Sequence, residues 1–296
     1  MATQPHRTAT PSAARNYFEH HFFSARCLPS FIRNILTFAV LLYAEAIFAA
    51  AGGDWSTLFV PSGQVATLSA SATGTIAPAP VIMRGKNLLA IQAQAGVAFT
   101  VTLTGYRIGT YNDIIDWELR TSGMTVLSSG NFTYDQTGTI SYTHNKTEML
   151  YLCVDALRNG VKIGSSSTPV GIMSAAANRL FKSNLQYLYL TVPRKVGSFN
   201  LTLYAGATGE HVKIGVYRPD NTLAATGETS AAEMTKVISV TVGTDDNAIW
   251  KIQIQTPSSG ILEDFRLALD AAVPAVLSPA SVCSFVYMPF GSQEKI

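Results

Sequence analysis

Through most of the chain after residue 80, apolar and polar residues alternate with a period of two. Phe199, Leu201 and Leu203 alternate with Asn200, Thr202 and Tyr204; Ile238, Val240 and Val242 with Ser239 and Thr241; Trp250, Ile252 and Ile254 with Lys251, Gln253 and Gln255. Successive side chains of a strand point to opposite faces, so the pattern predicts strands buried on one side. Runs at 185–192, 199–204, 212–218, 237–242, 249–255 and 264–270 are separated by turn chemistry such as Gly206-Ala-Thr-Gly209, Pro219-Asp-Asn221 and Pro257-Ser-Ser-Gly260. That spacing predicts an antiparallel β-sandwich. Around Leu150-Tyr-Leu-Cys-Val154 both alternating sets are apolar, which predicts a central strand covered on both sides.

The chain also matches itself at a shift of about 100 residues. Phe99-Thr-Val-Thr-Leu103 meets Phe199-Asn-Leu-Thr-Leu203, Val126-Leu-Ser-Ser-Gly130 meets Leu223-Ala-Ala-Thr-Gly227, and Ile140-Ser141 meets Ile238-Ser239. Asn87-Leu88 meets Asn184-Leu185, and Tyr151 meets Trp250, although that last pairing turns Asp155 inward and a shift of one residue would exchange the two faces. The expected fold class is all-β: two tandem antiparallel sandwiches, jelly-roll or Ig-like, over 81–173 and 184–290, with a tether at 52–80 and a linker at 174–183. The linker, Ser174-Ala-Ala-Ala-Asn-Arg-Leu-Phe-Lys-Ser183, lacks alternation and has fair helix propensity.

Residues 1–51 break the pattern. An Arg-bearing polar stretch precedes Ile35-Leu-Thr-Phe-Ala-Val-Leu-Leu-Tyr43 and small residues ending at Ala49-Ala50-Ala51, the order of a secretory signal. The alternative is an uncleaved signal anchor; Glu45 and the short apolar run put it at the lower limit for spanning. Either outcome exports residues 52–296, which places the protein as secreted, periplasmic or on the cell surface, in contact with a membrane only through that segment.

Composition narrows the function. Only 14% of the 296 residues are charged against 47% hydrophobic, the make-up of a chain that buries real cores. Four of the 21 Lys and Arg and two of the 19 Asp and Glu fall within residues 1–51, so seventeen of each sign remain beyond it. No basic field is left to attract a phosphate backbone, which argues against nucleic acid as a partner. Cys27, Cys153 and Cys283 lack C-x-x-C spacing; Cys153 and Cys283 read as buried thiols, with a disulfide between them as the alternative.

Catalytic chemistry finds little support. There is no G-x-S-x-G, and beyond the leader only His144 and His211 remain, both read as solvated turn or strand-start residues. Paired carboxylates for glycoside hydrolysis could arise among Asp113, Asp116, Glu118, Asp245, Asp246, Glu263 and Asp264. Asp113 and Asp116, and Asp245 and Asp246, also offer oxygens for structural calcium, without the D-x-[DN]-x-[DN]-G spacing. No other cofactor is expected. Sugar binding needs an outward aromatic platform beside amide or carboxylate groups, and Tyr187, Tyr189, Tyr204 and Tyr217 are the candidates. Tyr204 and Tyr217 each follow an inward residue and are placed on neighbouring strands, whereas Trp117 and Trp250 read as core anchors.

At Tyr187-Leu-Tyr-Leu-Thr-Val-Pro193, at Val216-Tyr-Arg-Pro-Asp-Asn-Thr-Leu223 followed by Gly227, and at Trp250-Lys-Ile-Gln-Ile254, the second copy resembles the bacterial pre-peptidase C-terminal type of domain, β-sandwich modules appended to secreted hydrolases. Trp117-Glu-Leu-Arg through Gly130 and Leu150-Tyr-Leu-Cys-Val-Asp155 look similar. The resemblance implies an extracellular accessory role, often with polysaccharide or an extracellular enzyme as partner, although no enzyme domain is attached here. The expected function is therefore an exported, non-catalytic binding or accessory protein. A structural or adhesive envelope component, and a divergent glycoside hydrolase, are the alternatives.

Overall fold

The computed structural model describes residues 65–68, 75–174, 178–282 and 284–287. The signal or anchor segment falls outside them, as do Cys27 and Cys283.

The described residues form antiparallel strands and no helix. In chain order they are β1 (Val65–Leu68), β2 (Ile82–Ala93), β3 (Ala98–Tyr106), β4 (Ile114–Arg120), β5 (Val126–Thr133), β6 (Thr137–Thr143), β7 (Glu148–Ser166), β8 (Val170–Met173), β9 (Leu180–Phe181), β10 (Tyr187–Val192), β11 (Ser198–Ala205), β12 (Lys213–Tyr217), β13 (Leu223–Glu228), β14 (Thr235–Thr241), β15 (Ala248–Gln255), β16 (Asp264–Leu269), β17 (Val276–Leu277) and β18 (Ser284–Tyr287).

The second copy is a two-layer sandwich. One sheet runs β10-β15-β12-β13, and β14-β11-β16 faces it from the other sheet. The first copy repeats these pairings with one change: β7 serves both layers. Its first part pairs with β2 and β4, as β15 pairs with β10 and β12, and its second part pairs with β3, as β16 pairs with β11. The crossing from layer to layer occurs where the β2–β7 register shifts between Arg84 and Lys86. Gly85 has φ +63° there, a left-handed conformation that a side chain would strain, and Leu157 opposite it has φ +48°.

Register makes the repeat concrete. Val101 pairs with Ile140 as Leu201 pairs with Ile238, and Trp117 pairs with Gly130 as Ile214 pairs with Gly227. The bulge recurs as well: it lies between Leu119 and Arg120 in β4 and between Val216 and Tyr217 in β12, so that Arg120 faces Val126 as Tyr217 faces Leu223. Through β4 and β12, Leu152 corresponds to Ile252 and hence Leu150, not Tyr151, to Trp250. The one-residue shift keeps Asp155 out of the core and puts Leu150, Leu152 and Val154 into it. Asn184 corresponds to no residue of the Asn87 position either, because Leu89 and Leu188 are the residues that face Leu152 and Ile252.

The segment read as a linker joins the copies through a strand. Phe181 of β9 pairs with Ile82 of β2 on one side and Asp264 of β16 on the other, so one sheet continues from copy to copy. The seam carries charge: the Asp264 carboxylate lies 3.0 Å from Arg84 and 3.4 Å from Arg179.

The main core draws inward residues from both copies. Trp250 is fully buried, meets Phe199 edge-on at 6.0 Å, and donates its indole N–H to the Asp245 carbonyl at 2.9 Å. A second, smaller cluster covers the opposite face of β2 and β7, where Leu88, Ala90, Met149, Tyr151 and Cys153 pack under Ile76, Val276 and Ala280. The doubly apolar stretch 150–154 is thus covered on both sides, and Cys153 is a buried free thiol.

Candidate functional site

The face that is buried on β2 and β7 of the first copy is half-buried on the corresponding β10 and β15 of the second. Strand pairing makes cross-strand rows, and the row Ala90–Tyr151–Arg120–Val126 corresponds to Tyr189–Lys251–Tyr217–Leu223. The next row, Leu88–Cys153–Glu118–Ser129, corresponds to Tyr187–Gln253–Gly215–Thr226. On β10 and β15, Leu88, Ala90, Tyr151 and Cys153 thus give way to Tyr187, Tyr189, Lys251 and Gln253, all half-buried, and on β12 Arg120 gives way to Tyr217. Nothing in the core requires them, since Leu188, Leu190, Trp250, Ile252, Ile214 and Val216 on the other side of these strands already fill it.

These side chains hold one another. Gln253 donates through Nε2 to Tyr187 Oη at 2.9 Å and accepts at Oε1 from Tyr217 Oη at 3.0 Å. Gln255 Nε2 donates to Tyr217 Oη at 3.2 Å and to Gln253 Oε1 at 3.1 Å. Lys251 Nζ sits 5.1 Å from the centre of the Tyr187 ring and 5.4 Å from that of Tyr217, and donates to Asn221 Oδ1 at 2.5 Å. The Tyr217 ring lies back over Gly215, where an added Cβ would come within 2.9 Å of its Cε2. The absence of a side chain at Gly215 makes room for this close approach.

Tyr189 differs from its neighbours. Among the described residues, none bonds to or stacks on its side chain. It borders, with Tyr187 and Gln186, a cleft of about 460 Å³ whose other wall is built by Ile76, Pro279 and Val282. The wall is anchored to the sheet edge by Ser278, which exchanges two 2.8 Å backbone hydrogen bonds with Tyr189. Among the described residues that line the cleft, none is charged.

Of the four candidate tyrosines, then, Tyr187, Tyr189 and Tyr217 share a face. Tyr204 does not join them: it lies on β11 in the opposite sheet, beneath the Arg266 guanidinium at 5.6 Å, so its placement on a strand next to that of Tyr217 is corrected. Sequence order misleads here because the chain changes sheets between β11 and β12. Lys251, Gln253, Gln255 and Gly215 were not singled out from the sequence. The alternation set the first three outward, but only the β10-β15-β12 order puts them between the tyrosines.

The aspartates are engaged locally. Asp113 accepts from two of the three guanidinium nitrogens of Arg158, Nε at 2.8 Å and Nη2 at 2.5 Å, and this contact lowers the pKa of its carboxyl. Asp116 lies directly across from Asp155; burial, followed by the charges of Asp155 and Glu118, raises its pKa. Asp245 is 3.3 Å from Arg218, and Asp246 accepts from the Lys195 backbone N–H at 2.5 Å. Glu118 is bound by Arg120 at 2.5 and 2.8 Å. Among the described residues no group of three or more His, Cys, Asp or Glu is gathered as metal ligands.

The histidines are not solvated as expected. His144 is 7% exposed and 2.6 Å from Glu148 Oε1; His211 is 5% exposed, with Nδ1 2.7 Å from the Ser259 carbonyl. Both sit inside turns they help to fix, in separate copies.

Neither a family model nor a curated protein sequence matches the chain. Among solved structures, the N-terminal CBM22-1-CBM22-2 tandem domain of Paenibacillus barcinonensis Xyn10C is similar over 75% of this chain and 98% of that one, at 7% identity and a TM-score of 0.20. A likeness that loose carries no functional argument.

Proposed function

We propose that this protein is an exported, non-catalytic module that binds polysaccharide on the outer face of β10-β15-β12-β13. The observation that carries the reading is the replacement of the covered Leu88, Ala90, Tyr151 and Cys153 of the first copy by half-buried Tyr187, Tyr189, Lys251 and Gln253 beside a cleft. A pyranose ring presents an apolar C–H face and a rim of hydroxyls. Tyr189 offers the first a half-buried aromatic surface that no other described residue bonds to or stacks on, while Gln253, Gln255 and the phenols of Tyr187 and Tyr217 offer the second donors and acceptors. The hydrogen bonds fix these groups before any ligand arrives, which lowers the ordering cost of binding. The non-catalytic part of the reading is supported by Asp113, Glu118 and Asp264, each held by an arginine.

The test is pull-down of the purified protein on a panel of insoluble and soluble glycans, comparing Tyr189→Ala, Tyr217→Ala and Tyr204→Ala. Loss of a central aromatic anchor costs about 2 kcal/mol or more, roughly thirtyfold in affinity. Tyr189→Ala is expected to lose that much, Tyr217→Ala to weaken binding, and Tyr204→Ala to leave it intact. Absence of binding to every glycan, or equal loss on both sheets, overturns the proposal.

A further inference from the structure

Resting on that reading, we infer that the polysaccharide is an anionic one, recognised by the ammonium group of Lys251. Lys251 stands between Tyr189 and Tyr217 in one cross-strand row, about 4.8 Å from each by strand spacing. A chain laid across the strands from the Tyr189 cleft toward Tyr217 therefore passes over it. The ammonium is pinned, with the Tyr187 and Tyr217 rings on its flanks and Asn221 Oδ1 at 2.5 Å. That hydrogen bond uses one of its three donors.

On this sheet Lys213 lies 3.8 Å from Glu228 and Arg218 lies 3.3 Å from Asp245, whereas among the described residues no carboxylate is paired with the Lys251 ammonium. Among the described residues, Lys251 has only the neutral Asn221 and two aromatic rings as partners. Asp220, the nearest acidic residue along the turn, spends its Oδ1 on the backbone N–H and hydroxyl of Thr222, at 2.8 and 2.7 Å. An ammonium fixed on this face, beside a cleft whose described lining carries no charge, is complementary to a polymer that carries one anionic group at intervals. The shared chemistry is a carboxylate or a sulfate ester on a sugar.

Affinity electrophoresis of the purified protein through gels containing polygalacturonate, dextran sulfate or uncharged hydroxyethylcellulose separates the outcomes. The inference predicts stronger retardation by one of the two anionic polymers, which also names the anionic group, and weakening as salt rises toward 0.5 M, where screening shortens to a few ångströms, roughly. Lys251→Met should lose about tenfold in affinity for that polymer and Lys251→Arg should restore most of it. Equal retention by all three polymers, or anionic binding untouched by Lys251→Met, overturns the inference. Tyr189-dependent retention by hydroxyethylcellulose alone overturns it while leaving the polysaccharide reading in place. Absence of retention in every gel removes both.

Discussion

Replacing Gly215 by Ala should separate the tyrosine face from the fold beneath it. The residue has an ordinary extended backbone, so alanine is conformationally acceptable and removes the excess freedom of glycine, a gain of roughly 0.5–1 kcal/mol. Against this, the new methyl would sit 2.9 Å from Tyr217 Cε2, 3.0 Å from Gln255 Nε2 and 3.1 Å from Tyr217 Oη. These are the ends of movable side chains, so the ring swings away and gives up its bonds to Gln253 and Gln255. Two such bonds contribute roughly 1–3 kcal/mol together, toward the lower end on a half-exposed face where water takes their place. The net cost is then roughly 0–1 kcal/mol, a fall of at most about 2–4 °C in Tm for a unit of this size. Urea unfolding measures it, and the decisive control is the same substitution in a Tyr217→Ala background. With the ring gone the conflict disappears, and Gly215→Ala becomes neutral or stabilising by about 0.5 kcal/mol. An equal cost in both backgrounds would refute the seating of Tyr217 over Gly215, and so would glycan binding unaltered by Gly215→Ala.

Three further outcomes follow from the packing. Trp250→Ala removes a fully buried indole and its bond to the Asp245 carbonyl and should cost about 3–5 kcal/mol in chemical denaturation, while Tyr204→Ala on the other sheet costs under about 1.5 kcal/mol; similar values for the two would contradict the core assignment. Asp116→Asn should stabilise near neutral pH by a few tenths of a kcal/mol, roughly the scale of one cross-strand charge pair. Because burial and the neighbouring carboxylates raise the folded-state pKa of Asp116, the wild type loses stability as pH rises through that value; the advantage of Asn must fade in acid, and a pH-independent difference would count against the shift. Burial pushes the Cys153 thiol up to about 12, so peptide-mapped alkylation should leave it unmodified in the native protein and label it fully in urea; native labelling at the rate of a free thiol would show the smaller cluster to be open.

Much of the architecture was legible because a period of two on a one-sided sheet is a direct imprint of burial. Phe199, Leu201 and Leu203 are inward where the alternation put them, and the Val126–Gly130 match to Leu223–Gly227 holds to the residue, including the bulge. The doubly apolar stretch around Cys153 correctly signalled cover on both faces, although not that residues as distant in sequence as Ile76, Val276 and Ala280 would supply it. What the sequence hid is sheet membership. Tyr204 and Tyr217 have the same outward signature, and only long-range pairing sends them to opposite sheets. The Leu150–Val154 stretch likewise marked one covered strand, but not that β7 continues for 19 residues to Ser166 and passes between layers. His144 and His211 looked solvated because turn composition does not reveal that a ring folds back under the turn.

Protection of individual tyrosines from chemical modification by a bound polysaccharide tests the central claim most directly. The protein is nitrated with and without saturating polygalacturonate, dextran sulfate or hydroxyethylcellulose, and the modified tyrosines are mapped by mass spectrometry. Binding at the proposed face predicts that the polymer retained in gels protects Tyr189 most, and Tyr187 and Tyr217 with it, while Tyr204 reacts as in the free protein. Protection centred on Tyr204, or the same modification pattern with and without a polymer that binds, would contradict it.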